Sequence, residues 1–78
     1  MYFVLEIQKW TDGTWYTTTF NYEDRMQAEA KYFYILSEAA VAKIPRNGAV
    51  VIDGNGSVLM SYVYQHGEYD GYVEPTEE

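Results

Sequence analysis

The chain contains no cysteine, and basic residues are few. Without cysteine it can form no disulfide framework, no thiolate metal site and no cysteine nucleophile. Five Lys and Arg stand against twelve Asp and Glu, so the formal net charge is −7. Because nucleic-acid binding rests on Lys and Arg contacts to phosphate, we expect no direct binding of DNA or RNA.

Long hydrophobic runs are also missing. A membrane-spanning helix needs about 20 consecutive apolar residues. The apolar run at the N-terminus ends at Glu6, and no basic segment precedes it, so it resembles neither a signal peptide nor a membrane span. These absences predict a cytoplasmic protein with no membrane partner.

Aromatic residues, by contrast, are plentiful and include nine tyrosines. Each can bury on the order of 150–250 Å², which compensates for the small core of a 78-residue chain. We therefore predict one domain over residues 1–66. Residues 67–78 are rich in Gly and acids and contain no base, so they are predicted to form a mobile acidic tail.

Two hairpins bracket a helix in the predicted order ββαββ. In the first hairpin, residues 2–10 and 14–22 flank Asp12-Gly13, which favours a two-residue type I′ turn that sets Trp10 opposite Trp15. That register predicts two faces. The core face would comprise Phe3, Leu5, Ile7, Tyr16, Phe20 and Tyr22, and the solvent face would comprise Glu6, Gln8, Thr17 and Thr19.

The helix is predicted from Asp24 to Lys43, with Asp24 as N-cap, Gln27 as its capping-box partner and Pro45 beyond its end. An apolar stripe at helical spacing is predicted to face the sheet. Its members are Met26, Ala30, Phe33, Leu36, Ala40 and Ile44.

In the second hairpin, residues 49–53 and 57–65 flank Gly54-Asn55-Gly56, in a loop of two to four residues. The whole predicts an α+β fold: a four-stranded antiparallel sheet in the order 2-1-3-4, with one helix packed on one face. A single helix covers only one face of such a sheet. The other face is then either solvated or a partner site.

No catalytic, cofactor or metal site is predicted. His66 is the only histidine, and no nucleophile stands in a context that would pair with it. Residues 53–57 have the oxygen spacing that opens a calcium loop, but Val58 and Tyr64 stand where an EF-hand needs Gly and Glu. A β-turn accounts for these residues, and the chain is predicted not to be an enzyme.

Trp10 and Trp15 are candidate partner-binding residues. As an aromatic pair they would staple the hairpin. Because Trp is enriched in interface hot spots, they would equally serve as binding anchors, and the two roles can coexist.

Acidic residues supply the other candidates. Glu6 is the only acid predicted within a sheet face, and Glu68, Asp70 and Glu74 lie in the tail. The tail acids either solubilise the chain or dock on a basic surface of a partner, where charge sets the rate and specificity of association.

Several segments carry a family resemblance. They are the helix runs Gln27-Ala28-Glu29-Ala30-Lys31-Tyr32 and Ala39-Ala40-Val41-Ala42-Lys43-Ile44-Pro45, the opening Met1–Gln8, the Asp53-Gly54 turn, His66 and the ending Glu74-Pro75. In these the chain resembles small uncharacterised proteins encoded in phages and prophages of gut Clostridia. That family has no assigned activity, so no residue role is carried over. The resemblance implies an accessory protein in the cytoplasm of a bacterial host, where small acidic phage proteins often inhibit host defence, as anti-CRISPR proteins do.

The expected function is therefore that of a non-enzymatic, phage-encoded inhibitor of a host defence protein, such as a CRISPR effector. It would block a basic nucleic-acid channel or a domain interface. The alternative is an assembly module that self-associates as a homodimer, through the uncovered sheet face or an edge strand. A small-molecule-binding module that uses the Tyr-rich sheet is a third possibility.

Overall fold

Four strands and one helix follow one another along the chain as ββαββ. A computed structural model describes residues 1–66; the predicted tail over residues 67–78, with Glu68, Asp70 and Glu74, lies outside the described residues. The elements are β1 (Tyr2–Lys9), β2 (Trp15–Tyr22), α1 (Arg25–Ala40), β3 (Arg46–Asp53) and β4 (Val58–Gln65). Their order in the sheet is β2-β1-β3-β4, all neighbours are antiparallel, and α1 packs on one face. The predicted fold and strand order are confirmed.

The β1–β2 loop has three residues, one more than predicted. The Trp10 amide donates to the Thr14 carbonyl at 2.9 Å, and the Gly13 amide donates to the Trp10 carbonyl at 2.9 Å. Gly13 has a φ of 88°, as expected for a type I turn closed by a left-handed glycine bulge. The predicted two-residue turn is wrong, and Lys9, rather than Trp10, lies opposite Trp15.

The β3–β4 loop repeats this design. The Asp53 amide donates to the Ser57 carbonyl at 3.0 Å, and Gly56 has a φ of 87°. Asp53 Oδ1 accepts the amides of Asn55 and Ser57, each at 2.9 Å. The Asp, Asn and Gly of this segment therefore build a tight turn, within the two to four residues predicted.

Because the first loop is one residue longer than predicted, the two faces of β1 are exchanged relative to the prediction. A shift of one residue in pairing turns every side chain of a strand to the opposite side relative to its partner. Tyr16, Phe20 and Tyr22 therefore share their face with the even-numbered residues of β1. Phe3, Leu5 and Ile7, predicted for the core, instead share the other face with Thr17 and Thr19. Glu6 and Gln8, predicted for the solvent face, lie on the helix side.

The core forms where α1 packs on small residues of the sheet. The buried stripe of the helix consists of Ala28, Tyr32, Ile35 and Ala39. It packs on Val4, Ala49 and Val51, all of them 0 % exposed. Because alanine has the smallest apolar side chain, these contacts let the helix lie close to the central strands.

The predicted helix stripe and the predicted helix ends need correction. Met26 is 76 % exposed and Phe33 is 54 % exposed, so this part of the predicted stripe faces away from the sheet, whereas Leu36 is partly buried against the core. The predicted stripe and the buried stripe both have helical spacing, so periodicity alone does not show which of them faces the sheet. The helix ends at Ala40, before Lys43, and the Asp24 side chain makes no capping hydrogen bond although Asp24 is the N-cap.

Strand β3 begins at Arg46, earlier than the predicted residue 49, and so includes Gly48. A Cβ on Gly48 would collide with the Tyr62 carbonyl oxygen and lie 2.5 Å from Val63 Cα. Glycine is therefore required here by the close approach of β4.

We expect Gly48→Ala to lower the free energy of unfolding by about 3 kcal/mol, the upper end of the usual cost of overpacking. Urea denaturation followed by circular dichroism measures it. Gly54→Ala is the control, because its added Cβ would lie at an ordinary 3.6 Å from the Met1 carbonyl oxygen. Equal stability of the two variants would contradict the β3–β4 packing at Gly48.

Candidate functional site

The sheet face opposite α1, called here the open face, carries a continuous apolar surface. Among residues 1–66 no other helix or strand packs on it. Its apolar side chains are half-buried. They are Phe3, Leu5 and Ile7 from β1, Val50 and Ile52 from β3, and Val63 from β4.

The open face has the scale of an interaction surface. Four strands spaced about 4.8 Å apart, each with eight residues rising about 3.3 Å, span on the order of 500 Å² before the relief of the side chains is counted. Part of that area is polar, because β2 contributes Thr17, Thr19 and Asn21 to the face. The largest apolar patch on a typical monomer covers about 300–600 Å² and is often functional. A stable interface buries about 800 Å² on each partner, which is the same order.

Charge on the open face is positive and confined to one end. Within the four strands, Lys9 and Arg46 are the only charged residues on this face, and they are paired across β1 and β3. Lys9 Nζ lies 5.5 Å from the ring centroid of Trp15, a cation–π contact. An aromatic side chain and two cations therefore border the apolar surface.

Trp10 and Trp15 do not form the predicted pair, because the longer loop sends them to opposite faces. Trp15 lies on the open face and is 53 % exposed. Trp10 is 45 % exposed and packs edge-on against Tyr16, with ring centroids 5.8 Å apart. Its Nε1–H donates to Gln8 Oε1 at 3.1 Å. A cross-strand Trp–Trp pair is therefore absent, and the two indole rings are exposed on opposite faces of the sheet.

Glu6 does not belong to the open face either. It points to the helix side, where its Oε2 accepts a hydrogen bond from Gln8 Nε2 at 3.2 Å. Because Gln8 also accepts from Trp10, a relay of hydrogen bonds runs from the indole through the amide to the carboxylate. The structure thus joins Glu6 to Trp10 and separates both from Trp15.

A cleft between α1 and the sheet holds functional candidates that sequence reasoning missed. Its volume is about 260 Å³, and Asn47 from β3 lines it together with Glu6 and Gln8. Asn47 is only 4 % exposed, and its Oδ1 has no hydrogen-bond partner among the described residues. An unpaired buried acceptor costs about 1–3 kcal/mol, so it points to a role other than stability.

His66 has a structural position. Its Nε2–H donates to the Ala39 carbonyl at 2.8 Å, and its ring stacks on Tyr64 with centroids 5.8 Å apart. Burial raises the pKa of the nearby Tyr32 phenol, and Tyr64 adds to that shift. His66 therefore ties the end of β4 to the end of α1.

Comparison with known proteins adds no relative. No protein-family model, no curated protein and no solved structure matches the chain. In the described part of the chain, α1 is too short and too polar to span a membrane.

We expect Asn47→Leu to raise the free energy of unfolding by about 1 kcal/mol, because an apolar side chain of similar size removes the unpaired acceptor. Thermal and urea denaturation measure the change. Asn21→Leu, on the exposed edge strand, is the control and is expected to stay within about 0.5 kcal/mol of the wild type. A less stable Asn47→Leu protein would show that Oδ1 is already satisfied.

Proposed function

We propose that this chain is a non-enzymatic binding protein that covers an apolar surface of a partner protein with its open face. The observation that carries the proposal is the uncovered row of Phe3, Leu5 and Ile7 beside Val50. Trp15 borders that row and supplies the kind of side chain that dominates interface hot spots.

Of the two modes of inhibition considered from the sequence, the open face supports blockage of a domain interface. A basic nucleic-acid channel would repel Lys9 and Arg46, whereas an apolar surface with an acidic rim complements them. Glu6 is turned away from this face. Mimicry of nucleic acid would therefore depend on Glu68, Asp70 and Glu74, outside the described residues.

The class of partner follows from the resemblance to small phage proteins. In a bacterial host, the apolar surface to be covered would belong to a defence protein, with a CRISPR effector as the favoured example. By occupying a surface that two domains of the effector must bring together, the bound protein would hold it in an inactive arrangement.

The test begins with capture of the partner from a clostridial lysate and its identification by mass spectrometry. Affinity is then measured for the wild type and for Leu5→Glu, which we expect to bind about 30-fold more weakly, as loss of a hot spot does. Phe33→Glu is the matched control, because it adds the same charge to an exposed apolar site on α1. It is expected to retain the affinity and the inhibition of the partner's activity.

A second set of variants separates the two modes. Glu68→Gln, Asp70→Asn and Glu74→Gln, combined, remove three tail charges and should change the affinity by less than about threefold if the open face carries binding. If the tail variant loses binding while Leu5→Glu retains it, the open-face proposal is wrong and nucleic-acid mimicry is favoured.

Self-association is a second candidate function, favoured by the opposite charges at the two ends of the strands. Lys9 and Arg46 lie at one end of the sheet, and Glu23, Asp24 and Asp53 lie at or beyond the other end. Two copies packed face to face with antiparallel strands would set each basic end against an acidic end. Such a pair has twofold symmetry and the roughly 10 Å spacing between sheets of a β-sandwich.

Multi-angle light scattering across a wide concentration range tests this candidate. A dimer mass that appears with concentration, is lost in Leu5→Glu and is retained in Phe33→Glu would support it. A monomer mass at every concentration would remove it and leave the open face available to a different protein.

A further inference from the structure

The cleft between α1 and the sheet has the features of a small-ligand site. Its volume of about 260 Å³ falls just below the roughly 300–1,000 Å³ of sites for drug-sized ligands. The side chains that line it come from both layers of the fold. They are Glu6 and Gln8 on β1, Asn47 on β3, Lys31, Tyr34, Ile35 and Glu38 on α1, and Ala42 and Ile44 beyond the helix.

Two carboxylates in the cleft have no cationic partner within the described part of the chain. Neither Glu6 nor Glu38 forms an ion pair there. The one cation that lines the cleft, Lys31, has its Nζ 4.2 Å from the ring centroid of Phe20 and 5.2 Å from that of Tyr34. Its charge is thus placed against aromatic rings, and the cleft keeps one excess negative charge.

Asn47 is independent evidence for a ligand. It pairs with Gln8 across β1 and therefore lies on the same side of the sheet, in the lining of the cleft. Asn47 is only 4 % exposed, yet its Oδ1 accepts no hydrogen bond from any donor among residues 1–66. Buried polar atoms in native proteins are almost always hydrogen-bonded, so an orphan acceptor calls for an external donor.

Gln8, in the wall of the cleft, is already engaged by other protein atoms. Gln8 Nε2 donates to Glu6, and Trp10 Nε1 donates to Gln8. The acceptors among the lining residues are the carboxylates of Glu6 and Glu38 and the unpaired amide oxygen of Asn47, and the donors are Lys31, Tyr34 and the Asn47 amide nitrogen. A ligand that complements these acceptors must bring several hydrogen-bond donors and a positive charge, as an ammonium group with three N–H donors does.

The rest of the lining is apolar and suits a hydrocarbon stem. Ile35, Ala42 and Ile44 contribute aliphatic surface, and the ring of Tyr34 lies on the helix side. From this arrangement we infer that the cleft binds a primary ammonium group on a short aliphatic stem. The group belongs either to a free alkyl diamine or to the lysine side chain of another protein.

The test is an NMR titration of the ¹⁵N-labelled protein with putrescine, followed through the backbone and side-chain amide signals. We expect saturable shifts centred on the Asn47 side chain, Gln8 and Ala42. The neutral analogue n-pentanol should produce none of them. Glu6→Gln and Glu38→Gln should each weaken binding about tenfold, because each removes a hydrogen bond to a charged group.

Glu23→Gln is the matched control, since it changes the net charge equally but lies outside the cleft. It should leave the affinity within about twofold, as expected for a distant, screened surface charge. If Glu23→Gln weakens binding as much as Glu6→Gln does, or if n-pentanol shifts the same signals, the proposed ammonium site is wrong.

A parallel titration with N-acetyl-lysine methylamide distinguishes the two sources. Tighter binding of putrescine assigns the site to free diamines, and tighter binding of the capped lysine assigns it to a protein side chain. Leu5→Glu, on the opposite face of the sheet, should bind either probe as the wild type does. Failure of the open-face proposal therefore leaves this test unaffected.

Discussion

The rest of the structure depends on the length of one loop. With three residues between Trp10 and Thr14, and Gly13 in the left-handed region, β1 pairs with β2 one residue away from the register of a two-residue turn. Because strand side chains alternate between faces, this single step decides which half of β1 meets the helix. It sends Phe3 to the open face and Glu6 to the helix side, and thereby creates both surfaces on which function is proposed.

The position of the helix is consistent with this register of β1 against β2. The helix side of the sheet offers Val4, Ala49 and Val51 at its centre, and α1 meets them with Ala28, Tyr32 and Ile35. The open face offers bulkier Phe, Leu and Ile side chains, on which Ala28 and Ala39 could not lie as close to the central strands. Close packing on one side therefore leaves the more apolar side uncovered, and it also leaves Met26 and Phe33 on the outer surface of the helix.

Strand order, helix position and the existence of both hairpins were predictable, because Asp-Gly, alanine-rich periodicity and Pro45 are strong local signals. The register was not, since Asp12-Gly13 suits a two-residue turn and also the end of a three-residue loop. Trp10 and Trp15 could be identified as exposed candidates, but their faces depend on that register. Asn47 carried a misleading signal, because Asn-Gly normally marks a turn, whereas here the pair lies inside β3 so that β4 can approach.

Both candidate surfaces are places where this chain departs from what stability alone would favour. An uncovered apolar face forgoes burial that a second helix or sheet would provide, and Asn47 holds an unsatisfied buried acceptor between the helix and the sheet. Natural sequences agree with their fold at most positions, and departures concentrate where another molecule completes the contacts. The two departures differ in kind: one is broad and apolar, the other narrow and acceptor-rich. A protein surface would satisfy the first and a small multi-donor cation would satisfy the second, so the two proposals on this fold of 66 described residues concern chemically distinct surfaces.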